Sequence, residues 1–442
     1  MCPTYRATGQ EQHSTRGRAH LLWEMLAGAL QQEGFQSEAV NEALSLCLSC
    51  KACKTECPVQ VDMAAYKSEF LAQRYKGRLH PLHHYIFGFA DRLARWGSLT
   101  PAITNALLTG PVTSPLIKRI AGIAPQRQLP RLAPTTYQKG SAQPAHDTHH
   151  PILCKLSRPK DPGISIPSGP QAPSDLSDRH FSSTRVGSNT AVRSQGQLAA
   201  PQVLLWPDTW NNYYHPQTLS AAASVLTQAG FQVQTPRGHI CCGRPLYDFG
   251  FLHAARTYLA KVLQRMAPEI DAGLPFIFLE PSCASVFKDE LLELHPNNPR
   301  AQRLSRQVWL LADFLAQAPS ASDWLAGRLQ GAHILIHGHC HHKAVFGGPA
   351  SEIALLRGAG ATVEPIQAGC CGMAGPFGFE AEKYEVSKTI ANDGFLPAIQ
   401  SAGPLTVIVA DGFSCREQIA QLSDRRAMHF AEVLAHTCGC GG

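Results

Sequence analysis

The pattern of hydrophobic and polar positions divides the chain into three parts. In residues 1–135 apolar side chains recur at helical spacing, as in Leu21–Ala27 and Tyr66–Leu71, so we predict a mostly helical domain. In residues 201–437 short apolar runs alternate with helical segments, which indicates parallel strand–loop–helix units. In residues 136–200 apolar periodicity disappears.

The α/β part contains an internal repeat of strand, helix, Cys-Cys-Gly triplet, helix and strand. We therefore predict two similar α/β domains, 201–325 and 326–437. Cysteines follow the strands, and the carboxyl ends of parallel strands are where such sheets bind ligands. The predicted strand, helix and strand are Val203–Pro207, Thr218–Gly230 and Phe276–Leu279 in the first copy, and Ile334–Gly338, Ser351–Gly358 and Val407–Ala410 in the second.

The segment 136–200 is dominated by Pro, Ser, Gly, Thr, Asp and His. Such a segment buries too little apolar surface to offset the entropy of ordering it. We predict a disordered linker, in which Cys154 is a free thiol.

Residues 83–123 form an amphipathic region that we expect Pro101, Pro111 and Pro115 to break. Two interpretations stay open: a helical scaffold that packs on the preceding domain, or a surface that faces a membrane or a partner. The most apolar run, Ile86–Trp96, contains three charged residues. Since a spanning helix needs about 20 apolar residues, we expect none here.

The composition excludes several classes of protein. The 442 residues carry a net charge of +6 and only 16% charged residues, without the basic clusters of a nucleic-acid-binding protein. Met1–Gln10 has no apolar segment typical of a secretion signal. Fifteen cysteines in such a chain indicate metal or redox chemistry rather than disulfides, and we expect a cytoplasmic protein.

Cys47, Cys50, Cys53 and Cys57 follow the spacing C-x2-C-x2-C-x3-C-P, which is typical of a [4Fe–4S] ferredoxin loop. A second Cys-Pro pair begins at Cys2, so we predict that Cys2 is the fourth ligand beside Cys47, Cys50 and Cys53. Cys57 would then serve a cluster whose other cysteines lie on a partner or upstream of this chain. A structural zinc site is the alternative.

The second repeat offers four thiols from three loops. We predict that Cys340, Cys370, Cys371 and Cys415 bind a second iron–sulfur cluster or zinc. The surrounding His337–Lys343 adds nitrogen ligands and proton carriers. The alternatives are reduced cysteines of the core and a catalytic dithiol.

The first repeat has only three cysteines, Cys241, Cys242 and Cys283, because the position that matches Cys340 falls near Thr209 or Trp210. It is a possible metal or partner site, or a structural copy. Arg244 follows its triplet and is a candidate partner for an anion.

Residues 5–8 and 13–18 lie between Cys2 and the first helix. They offer hydrogen-bond donors to the cluster, with a solvated basic helix start as the alternative.

Together these motifs resemble the iron–sulfur part of the FAD-linked oxidases that act on D-2-hydroxy acids. More distantly the chain is similar to the iron–sulfur subunit of glycolate oxidase and to cysteine-rich subunits of anaerobic glycerol-3-phosphate dehydrogenase and heterodisulfide reductase. The segments that carry the resemblance are Met1–Thr8, His13–Ala19, Leu46–Pro58, Cys241–Asp248, Glu280–Cys283, His337–His341 and Gly369–Gly375.

The resemblance implies an α-helical ferredoxin domain followed by two α/β cysteine-rich (CCG) domains. It implies an electron-transfer subunit that works with FAD on a partner, passes electrons towards a quinone or another acceptor, and is not catalytically complete alone. We expect no FAD in this chain, since it has no flavin domain. A peripheral position at the inner membrane fits this role.

Two other functions stay open: a heterodisulfide or thiol–disulfide reductase acting at the CCG cysteines, and a non-catalytic metal-binding remnant. The family's cysteine-rich pattern ends in C-x-x-C. In this chain the second cysteine of that motif is replaced by Val286 after Cys283 and by Gln418 after Cys415.

Overall fold

A computed structural model describes residues 1–140 and 200–439 of the chain. Most of the predicted linker, 141–199, and with it Cys154, lies outside the described residues. The described start of that segment differs from the prediction, because residues 137–140 form a helical turn. Tyr137 is buried there, and the Gln138 backbone N–H donates to Asn212 Oδ1 over 3.1 Å, so the chain packs on the first α/β unit beyond residue 136.

The N-terminal part is helical, as predicted. Leu21–Ala27 lies in the helix Thr15–Ala27, and Tyr66–Leu71 lies in Met63–Arg74. Asp62 caps the latter helix, since its carboxylate accepts hydrogen bonds from two backbone N–H groups of the first turn. The helices are Pro3–Thr8, Thr15–Ala27, Glu38–Ser45, Ala52–Glu56, Met63–Arg74, Leu82–Gly88, Ala90–Gly97, Pro101–Thr109, Thr113–Ile120 and Tyr137–Gly140, with 3-10 turns at Glu11–His13 and Gly34–Gln36.

The prolines of the amphipathic region do not all break helices. Pro111 lies between two helices, but Pro101 and Pro115 lie in the first turns of Pro101–Thr109 and Thr113–Ile120. Proline is tolerated there because a first-turn N–H has no partner within the helix. No helix among the described residues is long and apolar enough to cross a bilayer.

The first α/β unit is built on a four-stranded parallel sheet. Its strands are β1 (Gln202–Leu205), β2 (Gln232–Gln234), β3 (Phe276–Phe278) and β4 (Val308–Leu310), in the order β2-β1-β3-β4. Val203 pairs with Val233, and Leu205 with Ile277. The helices are Thr209–Tyr213, Pro216–Gln228, Arg244–Asp248, Leu252–Arg265, Ala267–Asp271, Pro281–Lys288, Glu290–Leu294, Pro299–Gln307, Leu311–Leu315 and Pro319–Leu325.

The second α/β unit has a sheet with the corresponding order, β6-β5-β7-β8, again all parallel. Its strands are β5 (His333–His337), β6 (Thr362–Pro365), β7 (Val407–Ala410) and β8 (Ala427–Met428). The predicted parallel strand–helix units are thereby confirmed. The helices are Cys340–Phe346, Ala350–Gly358, Tyr384–Asn392, Phe395–Ser401, Phe413–Leu422 and Phe430–Gly439, with a 3-10 turn at Ala381–Lys383.

The two sheets share one apolar core. The helix Pro216–Gln228 of the first unit packs against Phe430–Gly439 at the end of the chain. A separate apolar cluster joins Leu48 and Ile123 of the N-terminal part to Cys370, Cys371 and Cys415. The cysteine loops of the N-terminal part and of the second unit therefore lie side by side.

Candidate metal centres

The N-terminal cysteine loop wraps its thiols around one point. Ser49 and Lys51 have φ values of +51° and +60°, a left-handed backbone that turns the chain tightly between Cys47, Cys50 and Cys53. Burial raises the pKa of the Cys50 and Cys53 thiols, and the other thiols of the loop and Cys2 raise it further. The structure thus brings together the four predicted ligands.

Cys2 is held at this point by Arg18. The Arg18 guanidinium donates to Cys2 Sγ over 3.2 Å and to Thr4 Oγ1 over 2.9 Å. Burial raises the pKa of Cys2, but the positive charge of Arg18 and the Thr4 hydroxyl outweigh it and lower the pKa below its ordinary value. A buried Arg18 contradicts the solvated alternative for this residue, whereas Arg16 is exposed as that alternative predicts.

Cys57 stands apart. It ends the helix Ala52–Glu56, and backbone N–H groups of Val61, Val59 and Gln60 lower the pKa of its thiol. None of the groups that shift this pKa is another thiol, in contrast to Cys50 and Cys53.

The second site is a row of thiols at the carboxyl ends of β5, β6 and β7. Cys340 contacts Cys370, which contacts Cys371, which contacts Cys415. Gly372 makes the turn possible with φ +86°, because a Cβ at this position would lie 2.3 Å from the Ser387 carbonyl oxygen.

Imidazoles set the charge of this row. His339 caps the helix Cys340–Phe346, accepting from the His341 backbone N–H, and its ring lies about 4 Å from Cys340 Sγ. Hydrogen bonding from Cys370 and the charges of His339 and His341 lower the pKa of Cys340 well below its ordinary value. Burial lowers the pKa of His339, but the Cys340 thiolate outweighs it and raises the pKa to about 9. The proximity of His339 thus favours the Cys340 thiolate, and a thiolate is the form that binds metal.

The first unit repeats this arrangement without the fourth thiol. Cys241 contacts Cys242, and Cys242 Sγ lies 3.1 Å from Cys283 Sγ. Thr209, which donates its hydroxyl to Cys241 Sγ over 3.5 Å, begins a helix capped by Asp208, as Cys340 begins one capped by His339. Thr209 therefore occupies the position of Cys340, which resolves the predicted choice between Thr209 and Trp210.

The thiols of the first unit have carboxylates among the groups that shift their pKa values. Cys242 lowers the pKa of Cys283, but burial and the carboxylates of Asp208 and Glu280 outweigh this and raise it to about 12. The pKa values of Cys241 and Cys242 are raised as well. Without a metal these three thiols are protonated at neutral pH, so the two units differ in charge as well as in ligand number.

A single zinc ion requires closely spaced ligands. A tetrahedral zinc with Zn–S bonds of about 2.3 Å holds its sulfurs roughly 3.8 Å apart. Across the described residues no three thiols come within 4.8 Å of one another. The choice between a cluster and a zinc ion at each four-thiol group stays a prediction. A tighter group, His339, Cys340 and His341, has one ligand atom from each residue within this distance.

A buried charge network joins the N-terminal part to the first α/β unit, and sequence reasoning missed it. Lys51 Nζ lies 2.6 Å from Asp289, 3.1 Å from Asp62 and 3.2 Å from Glu290. Arg244, predicted to pair with an anion, forms an ion pair with Glu290. Because Lys51 and Lys54 neutralise Asp62, Asp289 and Glu293, this acidic cluster is an ion-pair network rather than a metal site.

The Ser49 carbonyl oxygen is the meeting point of this network with the second site. It lies 3.1 Å from Arg244 Nη2 of the first unit and 3.0 Å from His341 Nε2 of the second. The adjacent Cys50 is close enough to Cys340 for the two thiols to perturb each other electrostatically. The ferredoxin-like thiols and the second thiol row are therefore immediate neighbours.

Residues 1–61, with Cys2 and the cysteine loop, match the family described as "4Fe-4S dicluster domain", and residues 208–288 match "Cysteine-rich domain". The chain thus combines an iron–sulfur domain with a cysteine-rich α/β domain, and the matches support an iron–sulfur cluster in its N-terminal part.

Three relatives confirm the resemblance inferred from the motifs. D-2-hydroxyglutarate dehydrogenase of Pseudomonas putida is 26% identical over 98% of this chain and 41% of its own length. Lactate utilization protein A of Bacillus velezensis is 27% identical over 48% of this chain and 90% of its own. One of the subunits of anaerobic glycerol-3-phosphate dehydrogenase of Escherichia coli K12 is 27% identical over 55% of this chain and 61% of its own length. The chain spans about two fifths of the length of the first of these.

Proposed function

We propose that this chain is an iron–sulfur electron-transfer part of a flavin-dependent 2-hydroxyacid dehydrogenase. The observation that carries the proposal is the position of Cys50 beside Cys340, which places two four-thiol sites next to each other. Support comes from D-2-hydroxyglutarate dehydrogenases, which are similar to 98% of the chain. D-lactate, glycolate and 2-hydroxyglutarate are the substrate candidates.

Cys2, Cys47, Cys50 and Cys53 would hold a [4Fe–4S] cluster, which takes up and releases one electron at a time. Arg18 donates a hydrogen bond to one of these sulfurs, while Cys47 is buried and Cys50 and Cys53 are partly buried. Both properties control the reduction potential of such a site. Cys57, half-buried at the end of its helix, would complete a second cluster with thiols of another domain.

The unit around β5–β8 is proposed as a second cysteine-rich domain, in support of which its strand order repeats that of the first. Cys340, Cys370, Cys371 and Cys415 would hold its cluster. FAD on a partner domain or subunit would supply the electrons, and a quinone is the proposed acceptor. We further propose a cytoplasmic location with peripheral association at the inner membrane.

The experiment is anaerobic purification followed by iron and sulfide analysis and EPR of the dithionite-reduced protein. We expect Cys50→Ser to remove about four iron and four sulfide per chain, with loss of one EPR signal. Cys57→Ser is the matched control and should keep the iron of the isolated chain. Unchanged iron in Cys50→Ser would contradict the ligand assignment.

One contact favours a second candidate function, thiol–disulfide chemistry in the first unit. Cys242 and Cys283 are 3.1 Å apart, and their oxidation to a disulfide would release two electrons and two protons. A redox titration with mass-spectrometric thiol counting tests this. Two thiols lost together in the wild type, but not in Cys242→Ala, would support it.

A further inference from the structure

The helix Pro101–Thr109 is oriented in the opposite way to most surface helices, which turn their apolar side to the protein. Its polar side faces the protein: Thr104 Oγ1 donates to the Gly97 carbonyl over 3.1 Å, and the Asn105 amide exchanges two hydrogen bonds of 2.8 Å with the Leu132 backbone. Its apolar side faces solvent, where Ile103 is 61% and Leu107 48% exposed. A helix of a globular protein normally buries that side, so this one is built to contact something outside the chain.

The two adjacent helices repeat this arrangement. In Ala90–Gly97 the buried Asp91 points inward, with its carboxylate 2.9 Å from His239 Nε2, while Leu93 and Trp96 point outward. In Thr113–Ile120 the Lys118 ammonium donates to the Pro125 carbonyl of the following segment over 3.0 Å. Leu116 and Ile120 are exposed on the other side.

We call the exposed side of these three helices the apolar face. It comprises Leu93, Trp96, Ile103, Leu107, Leu116 and Ile120. The helices are neighbours, since Gly97 packs on Thr104, and the Thr113 hydroxyl donates to the Leu107 carbonyl over 2.6 Å. Six large apolar side chains on consecutive helices exceed the scattered apolar residues of an ordinary surface.

The exposed charged side chains of these three helices are all positive. Arg92, Arg95 and Arg119 are exposed beside the apolar residues. Residues 92–140 contain no Asp or Glu at all. Arginine flanking tryptophan and leucine is typical of helices that lie in the headgroup region of anionic membranes.

We infer that the apolar face binds in the plane of a bilayer that contains anionic phospholipids. Each of the three helices is far shorter than the roughly 20 residues needed to span a bilayer, so they lie on it rather than cross it. A second copy of the chain fits this face poorly, because pairing it with itself brings arginines of the same sign together. The inference rests on the proposed function, which includes peripheral association with a membrane. It adds the surface that binds and the class of lipid that the surface binds.

The test is flotation of the full chain with vesicles in a density gradient, without flavin, substrate or turnover. The probes are phosphatidylcholine alone and phosphatidylcholine with about 30% phosphatidylglycerol. We expect the wild type to float with the anionic vesicles and to bind neutral ones at least about tenfold more weakly. Raising the salt should weaken the binding.

Ile103→Glu/Leu107→Glu should reduce binding to anionic vesicles by at least about tenfold. Both side chains lie on the exposed side of a helix with no buried residue, so the fold is kept, which circular dichroism checks. The matched control is Leu405→Glu, at a site 68% exposed in the second α/β unit, which should float like the wild type. Arg92→Gln/Arg95→Gln should remove the preference for anionic lipid.

Three outcomes would overturn the inference. The first is a wild type that does not float with anionic vesicles, and the second is equal flotation of Ile103→Glu/Leu107→Glu and Leu405→Glu. The third is a wild type that forms a dimer and binds no vesicles, while Ile103→Glu/Leu107→Glu is a monomer. The last would make the apolar face a contact between copies. Cys50→Ser separates this inference from the electron-transfer proposal, because it should lose iron but float like the wild type.

Discussion

At the scale of single residues, the two α/β units differ most at one position. Cys340 follows an imidazole cap, whereas Thr209 follows the carboxylate cap of Asp208. The first combination stabilises a thiolate, and the second adds negative charge beside thiols that are already protonated. We propose that this pair of adjacent residues makes the second unit the better metal site of the two.

Asp208 should make folding stability depend on pH. Burial and the nearby Glu280 raise the pKa of Asp208 to about 6, against an ordinary value of 3.8. The folded state therefore holds a proton that the unfolded state releases between about pH 4 and 6, so the stability falls as pH rises through that window. We expect Asp208→Asn to remove this fall, on the order of 3 kcal/mol.

The measurement is urea unfolding at pH 4, 5, 6 and 7 under anaerobic conditions. Asparagine keeps the helix cap, because one carboxylate oxygen accepts both backbone hydrogen bonds of that cap. Identical pH profiles for the wild type and Asp208→Asn would contradict the raised pKa.

At the scale of elements, the short cysteine loop is anchored by charges that come from the first α/β unit. Lys51 is buried completely among three carboxylates, two of which start the helix Glu290–Leu294. Glu290 is also paired with Arg244. Positive and negative side chains therefore compensate each other where the cysteine loop contacts the helix Glu290–Leu294.

Lys51→Met should destabilise the chain by about 3–5 kcal/mol, because it leaves buried carboxylates without their cation. Lys54→Met is the matched control, since Lys54 shares two of these carboxylates but is 29% exposed, and it should cost about 1 kcal/mol or less. Anaerobic urea unfolding followed by circular dichroism measures both. Equal effects of the two substitutions would show that burial does not strengthen the network.

The order of many helices and strands could be predicted from the sequence, because hydrophobic periodicity and the residues that end an element are local signals. The alternation around β1, β3, β5 and β7 is an example, as is the loop from Cys47 to Cys57. Periodicity gives the two sides of Pro101–Thr109 but not which one faces the protein, since hydrogen bonds to distant backbone decide that. The contact of Ser49 with Arg244 and His341 joins residues far apart in the chain, which no local pattern encodes.

At the scale of the whole molecule, the two thiol rows lie in different units, and their metal contents should be separable. In the full chain, Cys371→Ala should remove the metal of the second unit, because it deletes one of the four proposed thiolate ligands. Cys242→Ala is its counterpart in the first unit and should leave that metal in place. Iron analysis in a Cys50→Ser background measures both.

Equal metal loss from Cys371→Ala and Cys242→Ala would contradict separate sites and indicate one site shared between the units. Full retention of the metal in both variants would indicate that these cysteines are reduced residues of the apolar core, which is the alternative that the sequence left open.

The core shared by the two sheets has a consequence for synthesis on the ribosome. Leu219, Ala222 and Val225 of the first unit pack with Phe430 and Leu434 at the end of the chain. At about 5–20 residues per second, the roughly two hundred intervening residues take about 10–40 s to translate. Throughout that interval the nascent first unit exposes an apolar surface that its own later sequence must cover. The two α/β units therefore cannot complete their common core before the helix Phe430–Gly439 is made, and a chaperone that shields this surface in the meantime would reduce aggregation.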